Sequence, residues 1–302
     1  MSESKIIELV EDSGAALRGL SWEIDNAVAN VVIFEGMEEH LYRYDYFARK
    51  LNEAGYNVYG LDCFGQGLNA GAHFENVGIW PKNGFDKQVN AYDKLVLEVS
   101  KKNNLPTMLF CHSMGSYMGQ WFIQKFSKDI DRIVLCGSGT KNGAVPLGFL
   151  LAKIIVHKKN EKQKAKFLNN LMFGNFNKRI EKKKTDFDWL SYEQGNVIKY
   201  IEDPLCGFGP TNGFCLEFLR GMKGLYSKKM KEIRKDLPIF IISGEEDPVT
   251  SYSTAVEDLK KRYNKLGIDK VSTKIYEHTR HEILNEKIRD EVIKDVIAFY
   301  KA

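Results

Sequence analysis

The 302-residue chain lacks a long apolar segment, which argues against a membrane-spanning helix. Its N-terminus has no continuous apolar region of the kind found in a signal peptide. Its longest apolar stretch, residues 145–156, is interrupted by Lys153 and is too short to span a bilayer. These absences predict a protein without a leader or a membrane-spanning anchor.

Cysteine is also scarce. The five cysteines are scattered and form no C-x-x-C pair, which favours a reducing cytoplasm and argues against a zinc site. A net charge of +4 is too small to indicate a nucleic-acid partner. The charge is unevenly placed, however, because residues 153–184 hold eleven Lys and Arg against two acids and the remainder of the chain is net negative.

Short apolar runs bounded by Gly, Pro, Asn or Asp alternate with segments of helical periodicity. The runs have the length of buried strands in a parallel sheet, and they cover residues 31–34, 57–61, 108–111, 132–136 and 238–243. Alternation of this kind predicts an α/β fold with a mostly parallel central sheet flanked by helices. An antiparallel edge strand is expected at residues 16–24, a last strand at 270–276 and a closing helix at 284–300.

The alternation stops near Gly139 and resumes near Asp236. The interval is basic, rich in aromatic residues and helical in its pattern. We therefore predict a core formed by residues 1–139 and 227–302, with residues 140–226 inserted as a helical cap.

The segment Cys111-His112-Ser113-Met114-Gly115 follows a predicted strand and precedes a predicted helix. A serine two residues before a glycine at such a junction matches a nucleophile elbow, in which a tight turn exposes the hydroxyl. The usual glycine two residues before the serine is Cys111 here. Ser113 is the predicted nucleophile, and His112 is interpreted as a packing or hydrogen-bonding residue.

A serine hydroxyl needs a base, and the base needs an orienting carboxylate. Asp247 follows the predicted strand at residues 238–243, and His281 lies between the last strand and the closing helix, so both follow Ser113 in the order acid then histidine. Asp247 and His281 are the predicted partners. Glu245 and Glu246 remain alternative acids, and His278 remains an alternative base.

A tetrahedral intermediate also needs backbone donors for its oxyanion. The loop after the first long predicted strand contains Gly36 and Met37, and the helix after the elbow begins at Met114. The N–H groups of Met37 and Met114 are the predicted oxyanion-hole donors. The alternative is that Gly36 only forms a turn.

Several segments together match the motifs of one known family: H-G-x-x-E-H-x-x-R-Y, D-x-x-G-x-G, G-H-S-M-G, D-P-V and R-H-E-x-L-N-E. The corresponding residues are 35–44, 62–67, 111–115, 247–249 and 280–286, and residues 203–208 are similar to a cap segment of bacterial members. The sequence resembles the serine-aminopeptidase-type α/β-hydrolases, which include monoacylglycerol lipases and lysophospholipases. The resemblance implies an α/β-hydrolase fold and a serine hydrolase that acts on carboxylic esters.

The chain departs from the family pattern at three places. Glu35 replaces the histidine before Gly36, Gln66 and Leu68 replace basic or small residues, and Cys111 replaces a glycine. A negative charge at Glu35 would disfavour the oxyanion and lower turnover unless the carboxyl is paired or protonated. None of these changes removes a member of the predicted triad.

An aromatic and apolar cap suits an acyl chain, so the expected partner is a small acyl ester or lipid, with no metal or cofactor. The apolar residues 145–156 and the lysines that follow them either dock transiently on an anionic membrane or form a pocket roof with a solvated basic face. We predict a cytoplasmic hydrolase of monoacylglycerols or lysophospholipids. The alternatives are a peptidase or short-chain esterase with the same triad, and a hydrolase-like binding protein with weak or no activity.

Overall fold

The computed structural model describes residues 3–140 and 142–302. Within them, eight strands form one sheet: β1 (Lys5–Val10), β2 (Ala16–Trp22), β3 (Ala29–Phe34), β4 (Tyr56–Leu61), β5 (Thr107–His112), β6 (Arg132–Cys136), β7 (Ile239–Gly244) and β8 (Val271–Tyr276). The order across the sheet is β1-β2-β4-β3-β5-β6-β7-β8. β2 runs antiparallel to β1 and β4, and every pair from β4 to β8 is parallel.

Nine helices occur in the same described residues: α1 (Asp45–Glu53), α2 (Gly84–Asn103), α3 (Met114–Phe126), α4 (Val145–Ile155), α5 (Lys166–Phe173), α6 (Gln194–Glu202), α7 (Asn212–Gly224), α8 (Thr254–Lys265) and α9 (Arg289–Lys301). Helices α2, α3 and α8 cover one face of the sheet, and α1 and α9 cover the other. Because both faces are covered, strands β3, β4, β5 and β7 are buried along their whole length. This architecture is the α/β-hydrolase fold that the sequence predicts.

Two features differ from the sequence-based expectation. The strand at Ala16–Trp22 is not the edge of the sheet, because β1 pairs with it on the outside. β1 is mostly exposed although four of its six residues are apolar, and no strand is predicted there from the sequence. The closing helix begins at Arg289, since residues Ile283–Asn285 form a separate 3-10 turn.

Helices α4 to α7 lie between β6 and β7 in the chain. They share a small core of their own, built from Phe149, Ala152, Ala165, Leu168, Cys215 and Leu219. Phe214 and Phe218 of α7 belong instead to the large core beside the sheet, so α7 joins the inserted helices to the sheet. Among the described helices, none combines the length and the apolar composition that a bilayer-spanning segment requires.

The carboxyl ends of the parallel strands place the candidate functional residues at one edge of the sheet. Residues 35–40 follow β3, Ser113 follows β5, Asp247 follows β7 and His281 follows β8. Residues far apart in the chain therefore meet at this edge.

Candidate active site

Ser113 occupies a strained turn between β5 and α3. Its backbone has φ 52° and ψ −119°, outside the regions that side-chain-bearing residues ordinarily adopt. The Ser113 N–H donates to the Cys136 carbonyl at 2.9 Å, which holds the turn against the next strand. The close approach of α3 to the end of β3 requires Gly115, because a Cβ there would lie 2.2 Å from the Phe34 carbonyl oxygen.

Cys111, where the family pattern has glycine, fits because of a glycine on α3. The Cys111 side chain is fully buried, and a Cβ at Gly119 would lie only 2.7 Å from its Sγ. The strand therefore carries a side chain where the facing helix residue has none. The elbow tolerates Cys111 through this neighbour.

We expect Gly119→Ala to destabilise the protein by about 1–3 kcal/mol, because the added methyl group overpacks the core against Cys111. In an unhindered helix interior the same change would stabilise by about 1 kcal/mol. Urea unfolding of Gly119→Ala, Cys111→Gly and the double variant measures the coupling. The double variant should recover most of the loss caused by Gly119→Ala; additive losses would show that the two residues do not share this space.

Asp247 and His281 are brought together by the loops after β7 and β8. Nδ1 of His281 lies 2.9 Å from Oδ2 of Asp247, and both residues are buried. The other carboxylate oxygen of Asp247 accepts from the Val249 N–H at 2.8 Å, which fixes the carboxylate plane. Gly137, at φ 59°, makes room for this pair, since a Cβ there would lie 2.9 Å from Cε1 of His281.

The alternative acids and base have other partners. The Glu245 carboxylate accepts from the backbone N–H of His278, and Glu246 accepts from the Tyr192 hydroxyl. His278 is exposed, whereas Ser113 and His281 line the same cavity of about 990 Å³. Among the residues the structure describes, Ser113 and His281 therefore share a cavity, and Asp247 is the acid that bonds to His281.

The two neighbouring histidines differ in their electrostatics. Burial disfavours the imidazolium of His281, but the charge of Asp247 and its hydrogen bond outweigh burial and raise the pKa of His281. Burial, followed by the proximity of His281, lowers the pKa of His112 to about 4. The rings of the two lie 4.8 Å apart. His112 is therefore neutral at pH 7 and packs beside the ring of His281.

The loop after β3 carries Met37 into the same cavity as Ser113 and Met114. The N–H groups on either side of Met37 are engaged: Gly36 donates to Oε1 of Glu39 at 2.6 Å, and Glu38 donates to Oε1 of Gln66 at 2.8 Å. Met114 is the first residue of α3, so the helix supplies no acceptor for its N–H. Met37 and Met114 therefore lie with Ser113 along the wall of one cavity.

A buried ion network that residue spacing alone does not indicate joins this loop to the histidine loop. The Arg43 guanidinium binds both oxygens of Glu282 at 2.7 Å and also binds Glu39 at 2.7 Å. Burial raises the pKa of Glu282, but Arg43 more than compensates and holds that pKa at about 2. Asn196 of α6 also donates to Glu282, at 2.8 Å. The family motifs contain Arg43 and Glu282, and this was the signal available in the sequence.

The helical insertion contacts both sides of the site. The Trp189 ring lies 5.1 Å from the His281 ring. On the other side, His40 bonds to Asp203 at 2.9 Å, and Gly207 and Gly209 donate to Glu38. The ligand atoms of His40, Asp203 and Cys206 lie within 4.8 Å of one another, so these residues are the described group that could hold a metal ion.

The cavity has a large apolar wall contributed by the inserted helices. Its apolar lining includes Val145, Leu147, Leu151, Met172, Phe173, Phe218, Leu219 and Met222. Walls of this kind accommodate hydrocarbon and exclude water. The cavity can therefore hold a long apolar group next to a serine, a histidine and backbone donors.

The chain is similar in sequence and in fold to known proteins. The family model described as serine aminopeptidase, S33 matches residues 25–288. A monoacylglycerol lipase of Mycolicibacterium smegmatis is 23% identical over 275 residues, which cover 89% of this chain and 86% of that protein. A thermostable carboxyl esterase from Bacillus coagulans, solved in complex with glycerol, has a TM-score of 0.89 and 25% identity and covers 100% of this chain and 99% of its own.

A more distant solved structure has the same fold. A soluble variant of monoglyceride lipase from Saccharomyces cerevisiae, in complex with a substrate analogue, aligns with a TM-score of 0.74 at 17% identity. The alignment covers 99% of this chain and 95% of that one. It includes the inserted helices as well as the sheet.

Proposed function

Because the chain belongs to the serine aminopeptidase S33 family of α/β-hydrolases, we propose that it is a serine hydrolase that cleaves carboxylic esters of long acyl chains, with monoacylglycerols or lysophospholipids as substrates. The observation that carries the proposal is the shared cavity, in which Ser113 and His281 stand beside an apolar wall. The relatives named as lipases and esterases support the reaction type.

In the proposed mechanism, His281 removes the proton of Ser113 as the serine oxygen attacks the ester carbonyl. Asp247 orients the imidazole and stabilises its positive charge. The N–H groups of Met37 and Met114 stabilise the oxyanion, and His281 then protonates the leaving alcohol. Water then hydrolyses the acyl-enzyme: His281 removes a proton from the attacking water and afterwards returns it to the Ser113 oxygen. No step calls for a metal or cofactor.

A chain-length series tests the substrate class. We expect kcat/KM on nitrophenyl esters and monoacylglycerols to rise from short to long acyl chains, because each buried methylene contributes about 0.8 kcal/mol until the apolar wall is filled. A preference for the shortest esters would favour a general esterase. Turnover of aminoacyl amides in preference to esters would favour a peptidase.

Residues 140–226 form the cap in this proposal, and α4 is its lipid-facing element. Leu147, Leu150 and Ile154 of α4 are between half and three-quarters exposed, and the exposed Lys158, Lys159 and Lys162 follow them. Apolar side chains beside a basic flank favour transient contact with an anionic membrane surface. The free, buried state of all five cysteines is compatible with a cytoplasmic site of action.

We expect charge reversal of Lys158, Lys159 and Lys162 to glutamate to weaken binding to anionic vesicles at least about a hundredfold, since each basic residue near such a surface contributes about 1 kcal/mol and each glutamate adds repulsion. Vesicle co-sedimentation measures the change. A matched control reverses Lys261, Lys265 and Lys270, which are exposed on and beside α8. Equal binding of wild type and the cap variant would mean that these lysines form only a solvated face.

A further inference from the structure

Glu35 places a carboxyl group at the start of the candidate oxyanion loop, where the family pattern has histidine. The residue is fully buried, yet it is not among those that line the cavity; Gly36, Met37, Glu38 and Glu39 are. Its side chain therefore acts on the loop from inside the protein. The contacts of its two oxygens indicate what it does there.

One oxygen of Glu35 is well supplied with donors. Oε1 accepts from the Cys63 N–H at 2.8 Å and from Nε2 of Gln66 at 2.8 Å. Gln66 is fully buried too, and it stands where the family pattern has a basic or small residue. The two departures from the pattern are thus in direct contact.

The other oxygen of Glu35 has no donor. Oε2 is buried without a hydrogen-bond donor, and the Asp62 carboxyl lies within hydrogen-bonding reach of the Glu35 carboxyl. The Asp62 oxygens already accept from the N–H groups of Leu41 and Leu68, both at 2.8 Å. Two facing carboxyl groups can form a hydrogen bond only if one of them carries a proton.

The surroundings of Glu35 favour a proton there. Burial, followed by the negative charge of Asp62, raises the pKa of Glu35 well above its usual range, and Glu39 adds to the effect. The other titratable groups near it are the Cys63 thiol and the Tyr44 and Tyr92 hydroxyls, whose pKa values are also raised by burial. The proximity of His40 lowers the pKa of Asp62, which favours leaving the proton on Glu35.

Gln66 connects Glu35 to the oxyanion loop. Its Oε1 accepts from the Glu38 N–H at 2.8 Å, and its Nε2 donates to the Gly36 carbonyl at 2.9 Å. These two backbone groups flank Met37. The amide therefore fixes the peptide units on both sides of the proposed oxyanion donor.

We propose that Glu35, as a neutral acid that donates its proton to Asp62, and Gln66 form a positioning pair that holds the Met37 N–H in place for the oxyanion. The catalytic effect of this pair rests on the proposed function. It requires both departures together: a neutral acid needs a neutral amide, whereas a basic side chain at position 66 would draw Glu35 into an ion pair. As a neutral acid, Glu35 has no negative charge that would weaken the oxyanion hole.

Kinetics test the positioning role. Gln66→Glu keeps the shape but replaces the Nε2 donor with an oxygen that faces Glu35 and the Gly36 carbonyl. We expect kcat to fall about 100-fold with KM within about threefold, as for loss of one oxyanion donor. Glu35→Gln keeps the acceptor for Cys63 and Gln66 and supplies an N–H for Asp62, so kcat should stay within about threefold. A KM effect in place of the kcat effect for Gln66→Glu would overturn the proposal.

Stability against pH tests the protonation of Glu35 without reference to activity. A carboxyl group whose pKa is raised on folding costs stability as pH rises above its unfolded pKa, because folding then requires proton uptake. Glu35→Gln removes this cost, so its Tm should match that of wild type near pH 4 and exceed it increasingly towards pH 8. The exposed Glu98→Gln should follow wild type throughout.

The opposite sign, a Glu35→Gln variant that becomes less stable than wild type as pH rises, would mean an ionised and stabilised Glu35 and would overturn the proposal. Infrared difference spectra of wild type against Glu35→Gln at pH 7 should likewise contain the carbonyl band of a protonated carboxyl group. These two readouts remain decisive even if the protein hydrolyses no ester, so failure of the pair and failure of the proposed function are distinguishable.

Discussion

Ser113→Ala is expected to lower ester turnover by about four to six orders of magnitude. Removal of a serine nucleophile costs enzymes of this type about that much, and the residual rate comes from the oxyanion donors and substrate binding. The loss should appear in kcat, because the apolar wall that binds the acyl chain is formed by other residues. The strained Ser113 backbone suits a residue whose function, not its packing, fixes its conformation.

Hydrolysis of a long-chain nitrophenyl ester and labelling by a fluorophosphonate probe measure this effect. Ser272→Ala is the matched control, since Ser272 is an exposed serine on β8. Wild type and the control should hydrolyse and label, and Ser113→Ala should do neither. Wild-type protein that neither hydrolyses esters nor reacts with the probe would instead support a hydrolase-like binding protein.

The candidate site was predictable from the sequence to the extent that it follows from strand order. Ser113, Asp247 and His281 each lie in the turn or loop after a predicted strand, and parallel strands present their carboxyl ends at one edge. The sequence therefore predicted that these three residues lie near one another although more than thirty residues separate them in the chain. The choice of Asp247 over its acidic neighbours also had a local basis, because Asp247 precedes Pro248 at the turn.

The contacts that the sequence did not predict depend on the orientation of individual side chains. Arg43 and Glu282 are 239 residues apart, and neither position stands out by periodicity. The accommodation of Cys111 required the facing residue of α3, and the consequence of Glu35 required the position of Asp62. A motif comparison identifies such substitutions, but it does not give the neighbour that makes each one tolerable.

The proposed base also sets an expected pH dependence. Only neutral His281 can accept the Ser113 proton, so kcat/KM should fall as pH drops through the His281 pKa, which Asp247 raises. His112, whose pKa is about 4, is already neutral across that range. Burial raises the pKa of Glu38, which lines the same cavity, to about 7, so the shift of the acid limb in Asp247→Asn identifies the part that belongs to His281.

Asp247→Asn is expected to reduce kcat about 10⁴-fold while leaving the fold intact. The introduced amide can still accept from the Val249 N–H, which preserves the loop, but it can turn an N–H towards Nδ1 of His281. The imidazole would then carry its proton on Nε2 and could not accept the Ser113 proton. The loss comes from the tautomer and not from misplacement of the ring.

Two measurements separate this explanation from general damage. The Tm of Asp247→Asn should stay close to that of wild type, and the acid limb of its residual activity should move to lower pH, because the group that raised the His281 pKa is gone. Asp258→Asn, at a half-exposed acid on α8, is the control and should change neither kcat nor the pH at which the acid limb falls. An Asp247→Asn variant with nearly full activity would remove Asp247 from the mechanism. Glu245 and Glu246 bind His278 and Tyr192 instead, so the histidine would then act without an orienting acid.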